Sequence, residues 1–316
     1  MRVFSRVPNF NFMAQRKAAL GLSIALSLCA LTLLAVRGLN FGIDFKGGVL
    51  VEVTYPQAAP LDEVRGALGK AGYADAPVQY FGSTSDVLIR LQPDPSASSA
   101  NISTKMLEAL DAAQTHVQVK RVEFVGPQVG KELSEDGLTA MLVAFAGIFA
   151  YVWFRFEWKF SVGSIAALVH DAIMTLGVLS LIQEEFDLTV LAGVLAMLGY
   201  SNNETIVIFD RVRENIVNLR KRDVQEIINL SINQTLMRSI ITHFTVLMVL
   251  SALFFFGGRS VHGFAVAMMV GVVVATYSSI YISSGVTVLL KIKREDLLPP
   301  DDDALVKGRS KDGAVV

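Results

Sequence analysis

Residues 18–36 read AALGLSIALSLCALTLLAV, a run without a single charge. Coiled as a helix at about 1.5 Å per residue, it is long enough to cross a hydrocarbon layer of about 30 Å. Arg16 and Lys17 precede it, as basic residues precede a cleaved signal peptide. The run nevertheless exceeds the roughly 7–15 apolar residues of such a peptide, and no A-x-A-like site closes it. We read a retained membrane helix. Composition agrees: 52% of the chain is hydrophobic and only 18% charged, against about 25% charged in ordinary soluble domains.

Five more apolar segments follow a long gap, at 137–154, 160–182, 188–209, 239–256 and 263–290. Only helices satisfy an open chain's backbone in lipid, so the expectation is six transmembrane helices. Lys and Arg placement gives orientation. Arg2, Arg6, Arg16 and Lys17 lie at the N-terminus, Arg155 and Lys159 between spans two and three, Arg211, Arg213, Arg220, Lys221 and Arg222 between spans four and five, and Lys291, Lys293 and Arg294 after span six. The turn 183–187 has no basic residue and the turn 257–262 only Arg259. Both termini are therefore expected on the cytoplasmic side and the insert between spans one and two outside.

That insert carries strand patterns around 43–55 (with a Gly47–Gly48 interruption suited to a bulge or a close backbone approach), 77–81, 86–92 and 117–125, and helical stretches at 60–71 and 102–115. The order β-α-β-β-α-β is that of a ferredoxin-like, split βαβ domain, which by itself names no chemistry. His116 reads as a surface or strand histidine. Cys29 stands alone, so no intramolecular disulfide and no cysteine-based zinc cluster is possible. A net charge of −1 supplies no field for gathering nucleic acid. We expect no metal, no cofactor and no catalytic residue.

Function is sought where the spans break their own rule, because a mid-bilayer charge costs on the order of 2.5–3.5 kcal/mol and needs a partner or a task. Asp171, beside His170, lies in span three, and Glu204 in span four; Arg238 opens span five. Met197, Tyr200, Ser201, Glu204 and Ile208 share one helical stripe, with Asn202 and Asn203 widening the polar patch and Thr205 following it. Arg238, Thr242 and Thr245 line another stripe, and Ser164, Asp171 and Thr175 a third. Three readings of Glu204 and Arg238 stay open: a movable contact that takes up and releases a proton, a fixed ion pair, or an arginine snorkelling to the interface. For Asp171 a satisfied helix–helix hydrogen bond competes with a proton role. His243, five residues from Arg238, is read as a packing residue on another face. Ala267, Gly271, Ala275, Ser279 and Ser283 form a small-residue packing face. Asp223 and Glu226 at capping-box spacing, followed by Ile227, Ile228 and Ile232, predict a short amphipathic helix along the cytoplasmic surface.

Taken in order, GIDFKGG (42–48), VGPQVGKEL (125–133), FEWKF (156–160), HD (170–171), GYSNNETIVIFDRVREN (199–215) and NLSINQTLMRSIITH (229–243) make the chain resemble the SecD/SecF family of protein-export membrane proteins, over about residues 16–291. The resemblance implies membership of the resistance-nodulation-division superfamily. The fold it implies is an α-helical polytopic membrane protein of six transmembrane helices with a small α+β ferredoxin-like periplasmic domain between helices 1 and 2. The implied layout is a cytoplasmic N-terminus 1–17, helix 1 at 18–36, the periplasmic domain at 37–134, helices 2–6 at 135–290 with a cytoplasmic loop 210–237, and a cytoplasmic tail 291–316. It further implies the bacterial inner membrane, use of the proton-motive force, and help with late export of unfolded preproteins. Partners would be SecD and the Sec translocon (SecY, SecE and SecG, with YajC-like and YidC-like subunits), besides protons and membrane lipid. In that family the residues matching Glu204, Arg238 and Thr242 are implicated in proton movement; we add Asp171, with Ser201, Asn203, Thr205, His170, Gly47 and Gly48 in support. Glu204 stands where many relatives have Asp, and Asn202 where an apolar residue is commoner. A small-solute exporter half of the same superfamily, or a purely structural subunit, are the alternatives.

Overall fold

The structure is a computed structural model; it describes residues 8–74, 76–81, 83–91, 108, 110, 117–219 and 221–296. The chain forms two compact units. One comprises Met1–Leu39, Met141–Glu184 and Thr189–Val316, the other Asn40–Ala140 with Glu185–Leu188.

In chain order the elements are α1 (Arg16–Val36), β1 (Asn40–Phe41), the single turn α2 (Ile43–Lys46), β2 (Gly48–Thr54), α3 (Leu61–Lys70), β3 (Val78–Phe81), β4 (Ser83–Leu91), β5 (Gln118–Val125), α4 (Pro127–Arg155), α5 (Trp158–Ile182), β6 (Glu185–Phe186), α6 (Leu188–Asn218), α7 (Val224–Phe256), α8 (Arg259–Ser278), a π-helical segment Ser279–Ser283, and α9 (Ser284–Leu289). Among the described residues five helices are long and apolar enough to cross a membrane: Met13–Val36, Pro127–Arg155, Trp158–Ile182, Val224–Phe256 and Ser260–Leu289. The helix α6 is continuous too, but the stretch GYSNNE inside it dilutes its apolar run, so it is not one of the five.

In the smaller unit β2, β3, β4 and β5 form an antiparallel sheet of order β3-β4-β2-β5. Central β2 buries alternate residues Val49, Val51 and Val53 against Val64 and Leu68 of α3, together with Val87, Ile89 and Leu91 of β4. Leu50 and Leu88 point to the other face, where they meet Ile43 and Phe81. The strand expected from residue 43 begins only at Gly48, because residues 43–46 coil into α2. Of the two roles open to Gly47–Gly48, close approach is the one observed, and the irregularity in pairing falls instead at Glu52/Val53 against β5. The helix expected at 102–115 lies outside the described residues except at positions 108 and 110, as does His116. Unforeseen is the parallel pairing of β1 with β6, two strands too short for any periodicity.

On the sheet, Asp86 accepts from Lys120 at 2.7 Å, Thr54 at 2.5 Å and Ser83 at 2.8 Å. The Lys120 ammonium first, then the Thr54 hydroxyl, hold its carboxyl down to about 2 against the opposing effect of burial. A folded value below the ordinary 3.8 means that this contribution to stability is complete above that value and is lost as pH falls through it toward about 2. Measured against the intrinsic amide rate at each pH, hydrogen exchange of residues 83–91 should therefore accelerate over that window, and Asp86→Asn should remove that part of the acid dependence. Equal acceleration in the variant would rule Asp86 out as its source.

In the larger unit, an apolar cluster gathers Met13, Val152, Phe156, Phe160, Phe209, Val212, Ile216, Ile227, Ile228 and Ile232. This corrects the expected surface helix. Asp223 does cap, accepting from the Gln225 amide at 3.1 Å, but Ile227, Ile228 and Ile232 are buried and α7 runs unbroken from Val224 to Phe256. Small residues let α1 and α5 approach closely, with Ala30 directly against Gly177, as expected where lipid offers no hydrophobic driving force between helices.

Candidate functional site

Two buried carboxyl groups organise the interior of the helical unit. Asp171, on α5, is wholly buried. Its Oδ1 lies 3.0 Å from Nδ1 of His170, and its Oδ2 accepts from Ser201 of α6 at 2.5 Å and from Ser278 of α8 at 2.8 Å. One carboxylate thus joins three helices, and every partner is a hydrogen-bonding group, as a buried charge requires. Nearby in sequence, Ser164 of α5 donates to Asn202 of α6 at 2.9 Å.

One turn along α6 from Ser201, Glu204 is also buried. Its Oε1 accepts from Ser239 of α7, and its Oε2 lies 3.8 Å from Nε2 of His243, one turn further along α7. His243 in turn places Nδ1 at 2.8 Å from Thr276 Oγ1 of α8, and its ring centroid lies 5.4 Å from that of Tyr200. Ser201 with Glu204, and Thr276 with Ser278, tie both carboxyl clusters to the same two helices, α6 and α8.

The stripe of Met197, Ser201, Glu204 and Ile208 is buried as its spacing requires, and so are Thr205, His170 and Thr175. The remaining candidates are not gathered around the two acids. Among the described residues Glu204 has no ion pair with Arg238. Arg238, Thr242 and Thr245 all lie on the exposed face of α7, where the Thr242 hydroxyl caps the Arg238 carbonyl at 3.0 Å. Asn203 is exposed as well. The fixed-pair reading is therefore absent from this conformation: the residues of α7 that meet Glu204 are Ser239 and His243, one position round from Arg238 and Thr242. His243 does lie on a different face of α7 from Arg238, as expected, and that face is the one turned toward Glu204. Ser239, Thr276 and Ser278 are the members sequence reasoning missed, and His243 was read there only as a packing residue. An i, i+4 pair of polar residues, Ser239 and His243, was the available signal.

Membrane-length apolar helices with carboxyl groups held among them define a class, the multi-pass membrane proteins with a polar bundle interior. The family model for the C-terminal part of the protein export membrane proteins SecD/SecF matches residues 105–293, and that for the SecD/SecF GG motif matches residues 32–59. The protein translocase subunit SecF of Pseudomonas aeruginosa is 49% identical over 96% of this chain and 99% of its own length. That of Escherichia coli O157:H7 is 41% identical over 92% and 90%. Among solved structures, SecDF from Thermus thermophilus, a translocon-associated membrane protein, superposes with TM-score 0.82 at 36% identity, over 90% of this chain and 39% of its own. SecDF in a super-membrane-facing form gives 0.69 at 33% identity, over 98% and 41%. The chain spans about two fifths of those SecDF chains. It belongs to the SecD/SecF family of protein-export membrane proteins.

Proposed function

We propose that this chain is a subunit of a Sec protein translocase. Paired with a SecD partner, it uses the proton-motive force to help unfolded preproteins complete their passage across the bacterial inner membrane and not slide back. Its role is transport, not catalysis. The observation that carries the reading is Glu204, a buried carboxyl group held between α6 and α7 in a chain of this family. A proton crossing 100 mV releases about 2.3 kcal/mol, and each pH unit adds about 1.36 kcal/mol. Loading and unloading Glu204 therefore biases a two-state helix arrangement by a few kcal/mol.

Asp171, Ser201, Thr205 and His170 support that exchange from within the bundle. Arg238, Thr242 and Asn203 serve it from the exposed faces of α7 and α6, where a SecD partner would supply the missing half of the path. The reading has six spans, with α6 as the fourth, both termini cytoplasmic, and the sheet unit periplasmic. Its sheet order and α3 support a ferredoxin-like domain, with Gly47 and Gly48 setting the start of the central strand. The wider partners are the SecY, SecE and SecG translocon with its YajC-like and YidC-like subunits. A small-solute exporter of the same superfamily is disfavoured by the translocase relatives, which match this chain nearly end to end.

Glu204→Gln tests it. In inverted membrane vesicles, export stimulated by a proton gradient should fall about tenfold or more, within the usual range of coupling energies, while the variant still co-purifies with SecD. Normal gradient-driven export by Glu204→Gln would end the proton reading. Loss of co-purification instead would point to a structural clamp.

A further inference from the structure

Resting on the reading of Glu204 as a proton-exchanging group, we infer that His243 is its immediate proton partner, so that Glu204 Oε2 and His243 Nε2 share one proton. The argument is a count of hydrogens. Thr276 carries a single hydroxyl hydrogen, and its Oγ1 lies 2.9 Å from the Val272 carbonyl oxygen, which can only accept. With that hydrogen committed, Thr276 Oγ1 must accept at 2.8 Å from His243, so Nδ1 of the imidazole carries a hydrogen. In the neutral ring the other nitrogen, Nε2, is then a bare acceptor. It is buried, makes no hydrogen bond among the described residues, and stands 3.8 Å from Glu204 Oε2.

A bare lone pair facing an ionised carboxylate is repulsive, and no water-like dielectric is present to screen it. The juxtaposition is favourable when one proton lies on either side. In one form the Glu204 carboxylic acid points its O–H at Nε2. In the other the Oε2–H bond has broken, its electron pair has stayed on the carboxylate, and the proton has bonded to the Nε2 lone pair. At 3.8 Å the two atoms are beyond hydrogen-bond range, so the transfer needs the Glu204 side chain to swing by under an ångström toward the ring. Ser239, bonded to Oε1, is the pivot. The titratable groups facing His243 are Glu204 and Tyr200, both from α6; α8 contributes Thr276, which does not titrate, and on its own helix Arg238 is exposed. When the shared proton leaves, the Glu204–His243 contact becomes repulsive and α6 and α7 are pushed apart at that level. This links proton release to helix movement without requiring Arg238 inside the bundle.

The test is infrared difference spectroscopy against pH on the full chain reconstituted with its SecD partner. The carbonyl stretch of a protonated carboxyl that disappears in Glu204→Gln identifies Glu204. Two interacting groups titrate as a pair in two steps. His243→Gln should collapse this to one step and displace the midpoint by about one pH unit or more, with the pH optimum of gradient-driven export moving alongside. Thr276→Val, which removes the acceptor at Nδ1 while preserving shape, should displace the midpoint too, and covers the case in which the glutamine variant fails to assemble. A Glu204 band titrating as in wild type in both variants overturns the inference and leaves the Glu204 reading standing. If Glu204→Gln removes no titrating band, the Glu204 reading itself is lost and the inference with it.

Discussion

Asp171→Ala is expected to destabilise the helical unit by about 3–5 kcal/mol, the range for removing one member of a buried charged network. Three groups lose their acceptor at once. The Ser278 hydroxyl has a fallback in the Ala275 carbonyl at 3.3 Å, whereas Ser201 and the His170 Nδ1 are bonded to Asp171 and are themselves buried. Stranded buried donors each cost about 1–3 kcal/mol, and the missing carboxyl leaves a void between α5, α6 and α8. Asp171→Asn should cost much less, because its amide oxygen still accepts from both serines. The thermal midpoint of the detergent-solubilised complex with SecD reads this out, and an alanine variant as stable as wild type would refute the network. The same pair separates two roles for Asp171. Oδ2 already accepts from two serines, so an added proton would sit on Oδ1, facing Nδ1 of His170. If Asp171→Asn keeps gradient-driven export, Asp171 is a structural tie among helices; if it abolishes export at near-normal stability, Asp171 carries a proton.

What was legible in the sequence followed from periodicity within single elements. Ser201 and Glu204 share a buried stripe because three residues on a helix are nearly one turn, and Val49, Val51 and Val53 share a sheet face because strands alternate. Partnerships between elements were less legible. The pairing of Glu204 with Arg238 was drawn from charge, but which residues of α7 meet α6 depends on the rotation of α7 about its axis. That rotation is set by packing along the whole helix, including Ile227, Ile228 and Ile232 at its start. It brings Ser239 and His243 inward and leaves Arg238 and Thr242 outside. Ser278 was hidden for a different reason. It adjoins a small-residue face that reads as packing alone, and the π-helical turn Ser279–Ser283 that follows it breaks the four-residue spacing on which that reading depended. The loop 210–237 was read from composition alone, which does not show where helices end. The described chain there is helical up to Asn218 and again from Val224, with Ile227, Ile228 and Ile232 buried.

The largest effect expected in the sheet unit is that of Gly48→Ala, and it tests the one glycine pair the sequence singled out. Gly48 begins the central strand with φ +133°, a conformation that residues with a Cβ rarely adopt, and a methyl group there would stand 2.5 Å from the Leu91 carbonyl oxygen of β4. Neither strain can relax cheaply. Leu91 is paired with Val49 in the β2–β4 ladder, so moving its carbonyl disturbs that ladder. Gly48 is itself paired with Val125 of β5 on the other side. Gly47, at φ +72°, adds a second constraint, since a Cβ there would meet the Pro127 backbone at 3.0 Å. Backbone strain of about 1–3 kcal/mol together with an overpacking cost of about 1–3 kcal/mol gives a loss on the order of 3–5 kcal/mol for Gly48→Ala. Exposed Gly66 in α3, where a Cβ meets nothing within 4 Å, is the control: Gly66→Ala should be neutral or slightly stabilising. Limited proteolysis of the full chain in membranes gives the comparison. Gly48→Ala should be cut within residues 40–125 far faster than either wild type or Gly66→Ala, while the helical unit stays resistant. Equal resistance of the two alanine variants would mean that the start of β2 has room to rearrange, and that the double glycine is not required by the close approach of β4.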